Sequence, residues 1–227
     1  MGGAARVGRE TWERGVVVER SAHTGMPRWP SAVALLGIGV SYVLLSQQLS
    51  LGPRGLLLLV IVVILVPLYV AHTAGRQRTA RWLALGLNCL VTLAVASSAA
   101  LLVVTLPSRV TPARTLLRDA ALIWFTNVVV FALWYWELDG GGPAQRRRHA
   151  HTSEDFLFPQ MGGGSGETSD WSPTFLDYLF LAFNTSTAFS PTDTAVLSHR
   201  AKVLMMAQSL VSLLVIAVLV ARAINNL

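Results

Sequence analysis

The tightest constraint in this chain lies in its last quarter. There an apolar and aromatic run, Thr174 to Ala188, is followed by the polar turn Ser190-Pro191-Thr192-Asp193 and by a second apolar run, Val203 to Ile224. A helix needs about 20 residues to cross a hydrocarbon core of about 30 Å, so the second run is long enough to span and the first is not. Pro191 stops any helix, because proline removes a backbone donor and pushes its predecessor out of the α region. Non-helical backbone at membrane depth survives only where protein buries it or water bathes it. The first run is therefore expected to dip into the membrane and return, and the turn after it is where function is expected.

At these residues the chain resembles the pore module of tetrameric potassium-type channels. That family carries a pore helix ending in a Thr-x-Thr-Thr-Val-Gly-Tyr-Gly-Asp filter, followed by an inner helix. Laid on it without a gap, Thr185-Ser186-Thr187-Ala188-Phe189-Ser190-Pro191-Thr192-Asp193 matches at the first and third threonines and at the closing aspartate. The two filter glycines are Ser190 and Thr192 here, and the tyrosine between them is Pro191. A potassium filter aligns its carbonyls through conformations that glycine adopts freely and proline cannot reach. The resemblance covers about 50 of the 227 residues. It implies the layout of helix, re-entrant loop and helix, a homotetramer around that loop, and a filter unlike that of potassium channels. As a whole, the runs ALWYWELDGGGP, DFLFPQ and AFNTSTAFSPTD are also similar to a family of uncharacterised bacterial membrane proteins with channel-like C-termini.

Composition agrees with a membrane chain: 53% of residues are hydrophobic and only 13% charged, far from the soluble average. The expected fold class is all-α, a polytopic membrane protein with about five transmembrane helices plus one re-entrant pore helix. The expected location is the plasma (inner) membrane, multi-pass, with membrane lipid as a partner. The net charge of +6 comes mainly from arginines dispersed among the connections, which fits topology signals and head-group contacts and gives no nucleic-acid module. A single cysteine, Cys89, excludes a disulfide framework within one chain.

In chain order, residues 1–30 read as a polar N-terminal arm and residues 31–106 as a three-helix membrane region with spans at 31–46, 56–72 and 82–106. Residues 113–227 read as the channel-like module: outer helix 113–137, long loop 138–171, re-entrant helix and filter 174–193, inner helix 197–224. The outer helix closes on Trp134-Tyr135-Trp136, a pattern typical of a membrane interface. Asn127 reads as its only strongly polar residue at mid-membrane, with a hydrogen bond to a neighbouring helix as its expected role. In the long loop His149, His151, Glu154 and Asp155 fit no zinc spacing, so a solvated loop is expected there. The patch Phe156 to Pro159 is expected to fold back onto the membrane surface or the pore turret.

Three effects give the loop a mechanism. A pore helix ending near Thr187 would point its negative C-terminal dipole at the membrane centre, a setting that favours a cation. Rings of Thr185, Ser186 and Thr187 oxygens would replace a cation's water, and Asp193 would concentrate cations at the mouth. In the last helix Met205, Gln208, Ser209, Ser212 and Ile216 recur at three- and four-residue steps and are expected to line an inner vestibule. The expected activity is passive, cation-preferring conduction of inorganic ions, without a cofactor, a resident metal or catalysis. The alternatives are a non-conducting structural or regulatory membrane protein, with Phe189 closing the axis, or a small-solute transporter with a broken helix. Orientation is contested: most Lys and Arg fall on the side of the long loop, which the positive-inside rule puts in the cytoplasm, whereas the channel resemblance turns that side outward.

Overall fold

The computed structural model describes residues 29–50, 52–53, 55–105, 112–146, 155–162, 171–187 and 193–225. The described chain is almost entirely helical. Its long elements are α1 (Trp29–Leu44), α2 (Leu56–Thr73), α3 (Gln77–Thr105) and α4 (Ala113–Leu138). A four-residue α5 (Pro143–Arg146) precedes α6 (Phe175–Thr187), and α7 (His199–Asn225) closes the chain. Two short strands, β1 (Phe156–Leu157) and β2 (Ala195–Val196), pair antiparallel, with Phe156 opposite Val196 and Leu157 opposite Ala195.

Among the described residues four helices are long and apolar enough to cross a membrane, over Leu56–Thr73, Gln77–Val104, Arg114–Gly141 and His199–Ala221. The first helix, α1, has 16 residues, which rise about 24 Å, less than a typical hydrocarbon core. Helix α3 starts at Gln77, five residues before the expected span, because Gln77 to Arg81 continues the helix rather than the basic turn.

Helix α4 is the hub. It packs against α1, α3, α6 and α7, and two thirds of its most apolar stretch is buried, against 17% for α2 and 22% for α7. It is also the least apolar of the four spans, and it buries Asp119, Thr126 and Asn127, polar side chains that need protein partners when removed from water. Close approach elsewhere depends on small residues: a Cβ on Gly39 of α1 would come within 2.6 Å of Leu58 Cδ1 and 3.2 Å of the Leu58 Cα on α2. Polar side chains tie the bundle across its helices. Trp134 Nε1 donates to Thr92 Oγ1 at 2.8 Å, and Ser98 Oγ donates to the Tyr42 hydroxyl at 3.4 Å.

Helix α4 ends in a glycine turn. Gly140, Gly141 and Gly142 all have positive φ, a region glycine enters without steric cost. The turn brings Arg146 back over the end of the helix, where Nη1 donates to the carbonyls of Trp136 and Asp139. A guanidinium at a helix C-terminus satisfies orphan carbonyls and opposes the negative end of the dipole.

Candidate functional site

The centre of interest is the segment from α6 to the start of α7. Thr174 opens α6 with one half of a capping box: its backbone N–H and its hydroxyl both donate to Asp177 Oδ2, at 2.7 and 2.8 Å, while the Asp177 N–H donates to the Thr174 carbonyl. Such a cap satisfies donors that the first turn leaves free.

Ring contacts fix the depth α6 reaches. Trp136, at the end of α4, meets Phe175 and Tyr178 edge-on at 6.0 and 5.6 Å. Trp124 meets Phe183 edge-on at 5.8 Å and lies near the middle of the 26-residue α4. Helix α6 thus runs from the end of α4 down to its mid-height, a descent of roughly 20 Å for 13 residues. By Ala195 and Val196 the chain is paired with β1, and β1 is held beside Asp139 at the same end of α4. Phe175, where α6 begins, and Ala195 of β2 therefore both lie at this end of α4.

At the lower end of α6 the threonine hydroxyls turn back on their own helix. Thr185 Oγ1 donates to Leu181 O at 2.8 Å and Thr187 Oγ1 to Phe183 O at 3.1 Å. Each hydroxyl proton is thereby used on the helix's own carbonyls, and the Thr185 hydroxyl also faces that of Tyr135. Ser186 differs: it is buried, and its Oγ accepts from Gln208 Nε2 at 2.6 Å. Ala188, Phe189, Ser190, Pro191 and Thr192 lie outside the described residues. Asp193 is exposed, just before β2.

The vestibule stripe divides. Ser209 and Ile216 are exposed and Met205 is half-buried, but Gln208 and Ser212 are buried against α4 and α6 of the same chain. Gln208 Nε2 also donates to Ala182 O at 2.7 Å, and Gln208 Oε1 accepts from the Tyr135 hydroxyl. Asn127 Nδ2 donates to Ser212 Oγ at 2.9 Å and to Gln208 O at 3.3 Å. Gln208 and Ser212 therefore do not form a vestibule lining in this chain. Their polar groups join three helices, because a buried amide or hydroxyl needs a partner. Asn127 makes the interhelical bond its position suggested.

Above α6 sits a cap in which the expected interface belt of α4 meets the patch from Phe156, which folds back onto the protein itself. Tyr135 and Trp136 are fully buried, as are Phe156 and Phe158. Their rings, with Tyr178, meet edge-on at 5.2 to 6.3 Å. The buried Asp139 carboxylate organises this cluster: Oδ1 accepts from the backbone N–H groups of Asp155 and Phe156 at 3.2 Å, and Oδ2 accepts from the Tyr178 hydroxyl at 2.5 Å. The Arg146 guanidinium lies over the Trp136 and Tyr178 rings, 4.8 and 5.2 Å from their centroids, a favourable cation–π placement.

Asp155 is not the solvated loop residue expected from its neighbours. It is buried, and Arg200 meets it with two contacts of 2.7 Å, Nε to Oδ1 and Nη2 to Oδ2. Ser198 Oγ donates to the same carboxylate and accepts from the Ala201 N–H, which makes Ser198 the cap of α7. Asp193 does not take that role. Among the described residues no three His, Cys, Asp or Glu side chains come together as a metal site would require.

A second acid passed unnoticed in the sequence. Asp119, two turns into α4, is fully buried beside the half-exposed Arg118, whose Nη2 reaches it at 2.8 Å and also donates to Ser46 Oγ. An adjacent arginine makes such an acid read as surface charge. No family model, curated protein or solved structure matches this chain.

Proposed function

We propose that this chain is the subunit of a pore-loop ion channel, cation-preferring, whose filter differs from that of potassium channels. One observation carries the reading: α6 descends to the mid-height of α4 and the chain is back at its starting level by β2. Placed in a membrane, that path is a re-entrant loop whose helix C-terminus faces the interior, where it favours a cation. Thr185 and Thr187 offer oxygens whose own protons are already bonded, and Asp193 supplies an exposed carboxylate at the mouth.

One copy cannot enclose an axial path, so the proposal includes a homotetramer. In support, α6 leaves Leu176, Phe180 and Phe183 exposed, and α7 leaves Val203, Met206 and Leu210 exposed, apolar faces that neighbouring copies and lipid would cover. The crossing of α1, a five-span count and residence in the plasma (inner) membrane belong to the same proposal. A second reading, a non-conducting structural or regulatory membrane protein, draws on the use of Ser186, Gln208 and Ser212 in packing.

Native mass spectrometry of the protein released from lipid tests the assembly. Four copies are expected, and a monomer or dimer as the largest species would sink the axial pore.

A further inference from the structure

We infer that Gln208 is the positioning residue for the last turn of α6, and through that turn for the Thr185 and Thr187 oxygens. The inference rests on the pore-loop reading of α6. A 13-residue helix is too short to hold itself in place by its own hydrogen bonds. Its upper end is fastened by the Tyr178–Asp139 bond and by the contacts of Trp136 with Phe175 and Tyr178. Its lower end, which carries Thr185 and Thr187, is fastened by α7.

The fastening is concentrated on one side chain. Gln208 is wholly buried, and both of its Nε2 protons go to α6, one to Ala182 O and one to Ser186 Oγ. Its Oε1 and its backbone carbonyl are held by Tyr135 and Asn127 of α4. One residue along, Ser209 Oγ donates to Thr185 O at 3.4 Å, a longer bond at an exposed position. The amide thus fixes the last turn of α6 in height and rotation relative to α4 and α7 together. A rotation or slide of α7 cannot leave Ser186 in place without breaking these bonds in an apolar site, where an unmade bond costs its full desolvation penalty. Thr185 and Thr187 flank Ser186 on the same turn, so the amide also sets the height and rotation of their oxygens.

The test pairs hydrogen–deuterium exchange of the full chain in lipid nanodiscs with potassium and chloride flux in liposomes. Gln208→Leu, similar in volume, is expected to speed exchange in the last turn of α6 roughly tenfold. Segments around Asp139 and Arg200 should keep their wild-type rates. The ratio of potassium to chloride flux should fall roughly tenfold in the same variant, since the oxygens lose their registration. Ser186→Ala removes a single acceptor and spares the fold, so it should shift both readouts in the same direction by a smaller factor.

Unchanged exchange in α6 in both variants overturns the inference. So does flux that falls in proportion to folded protein while the ion ratio holds. Wild-type protein that passes no ion under any gradient, while exchange responds as stated, overturns the pore reading instead and leaves Gln208 as an anchor of α6.

Discussion

Removing the two partners of the Asp155–Arg200 pair will have unequal costs, and the inequality can be worked from burial. The Asp155 side chain is 1% exposed and that of Arg200 is 50% exposed. Arg200→Ala leaves a buried carboxylate with the Ser198 hydroxyl as its remaining side-chain donor among the described residues. Stranding a buried charge in this way costs about 3–5 kcal/mol. Asp155→Asn leaves a guanidinium that is already half in water and can be resolvated, and it keeps an acceptor for Ser198. The loss is then about 1 kcal/mol, as for pairs with an exposed member. For a chain of this size each kcal/mol moves the melting temperature by about 2–4 °C. Arg200→Ala should therefore lower Tm by about 10 °C and Asp155→Asn by about 3 °C, measured by thermal scanning in mild detergent at a single scan rate. The double variant should melt near Asp155→Asn, because the stranded charge is gone. Equal shifts, or a larger loss for Asp155→Asn, would refute the account of a buried acid held by an exposed base.

Two further substitutions probe the packing. Gly39→Val should lower Tm, at a cost of about 1–3 kcal/mol for overpacking, because its Cβ would press on Leu58; Gly37→Val in the same helix meets nothing within 4 Å and should leave Tm unchanged in a parallel scan. Tyr178→Phe keeps the aromatic cluster but removes a donor to the buried Asp139 carboxylate, a loss of about 1.5–3 kcal/mol for a bond to a charged group. Its lower Tm should be matched by faster proteolysis near residues 155–162, and a variant as protease-resistant as wild type would contradict the role given to Asp139.

The helices were legible because length and hydropathy are local properties. The expected outer helix 113–137 is α4, Ala113–Leu138, and the short apolar run became the 13-residue α6. What local pattern could not show was which face of each helix meets another. Gln208 and Ser212 share a stripe with Ser209 and Ile216 in sequence, yet two of these face α4 and α6 and two face outward. A polar stripe has the same spacing whether it lines water or joins helices.

The cap was hidden for a related reason. Trp134, Tyr135 and Trp136 read as an interface belt because nothing nearby in sequence covers them, and the cover arrives some 20 residues later as Phe156 and Phe158. Asp139 and Asp155 likewise have partners, Tyr178 and Arg200, 39 and 45 residues away. The run Gly140-Gly141-Gly142 was a usable signal: consecutive glycines after a long helix admit the positive φ that a sharp return of the chain requires, and all three adopt it.

The most direct measurement of the central claim is ion flux through the purified protein in liposomes under separate potassium, sodium and chloride gradients, with Asp193→Asn beside the wild type. The account predicts cation flux exceeding chloride flux in the wild type, and a reduced cation preference when the carboxylate at the mouth is neutralised. An intact tetramer that passes no ion under any gradient or voltage, or flux indifferent to Asp193→Asn and to ion type, would contradict it.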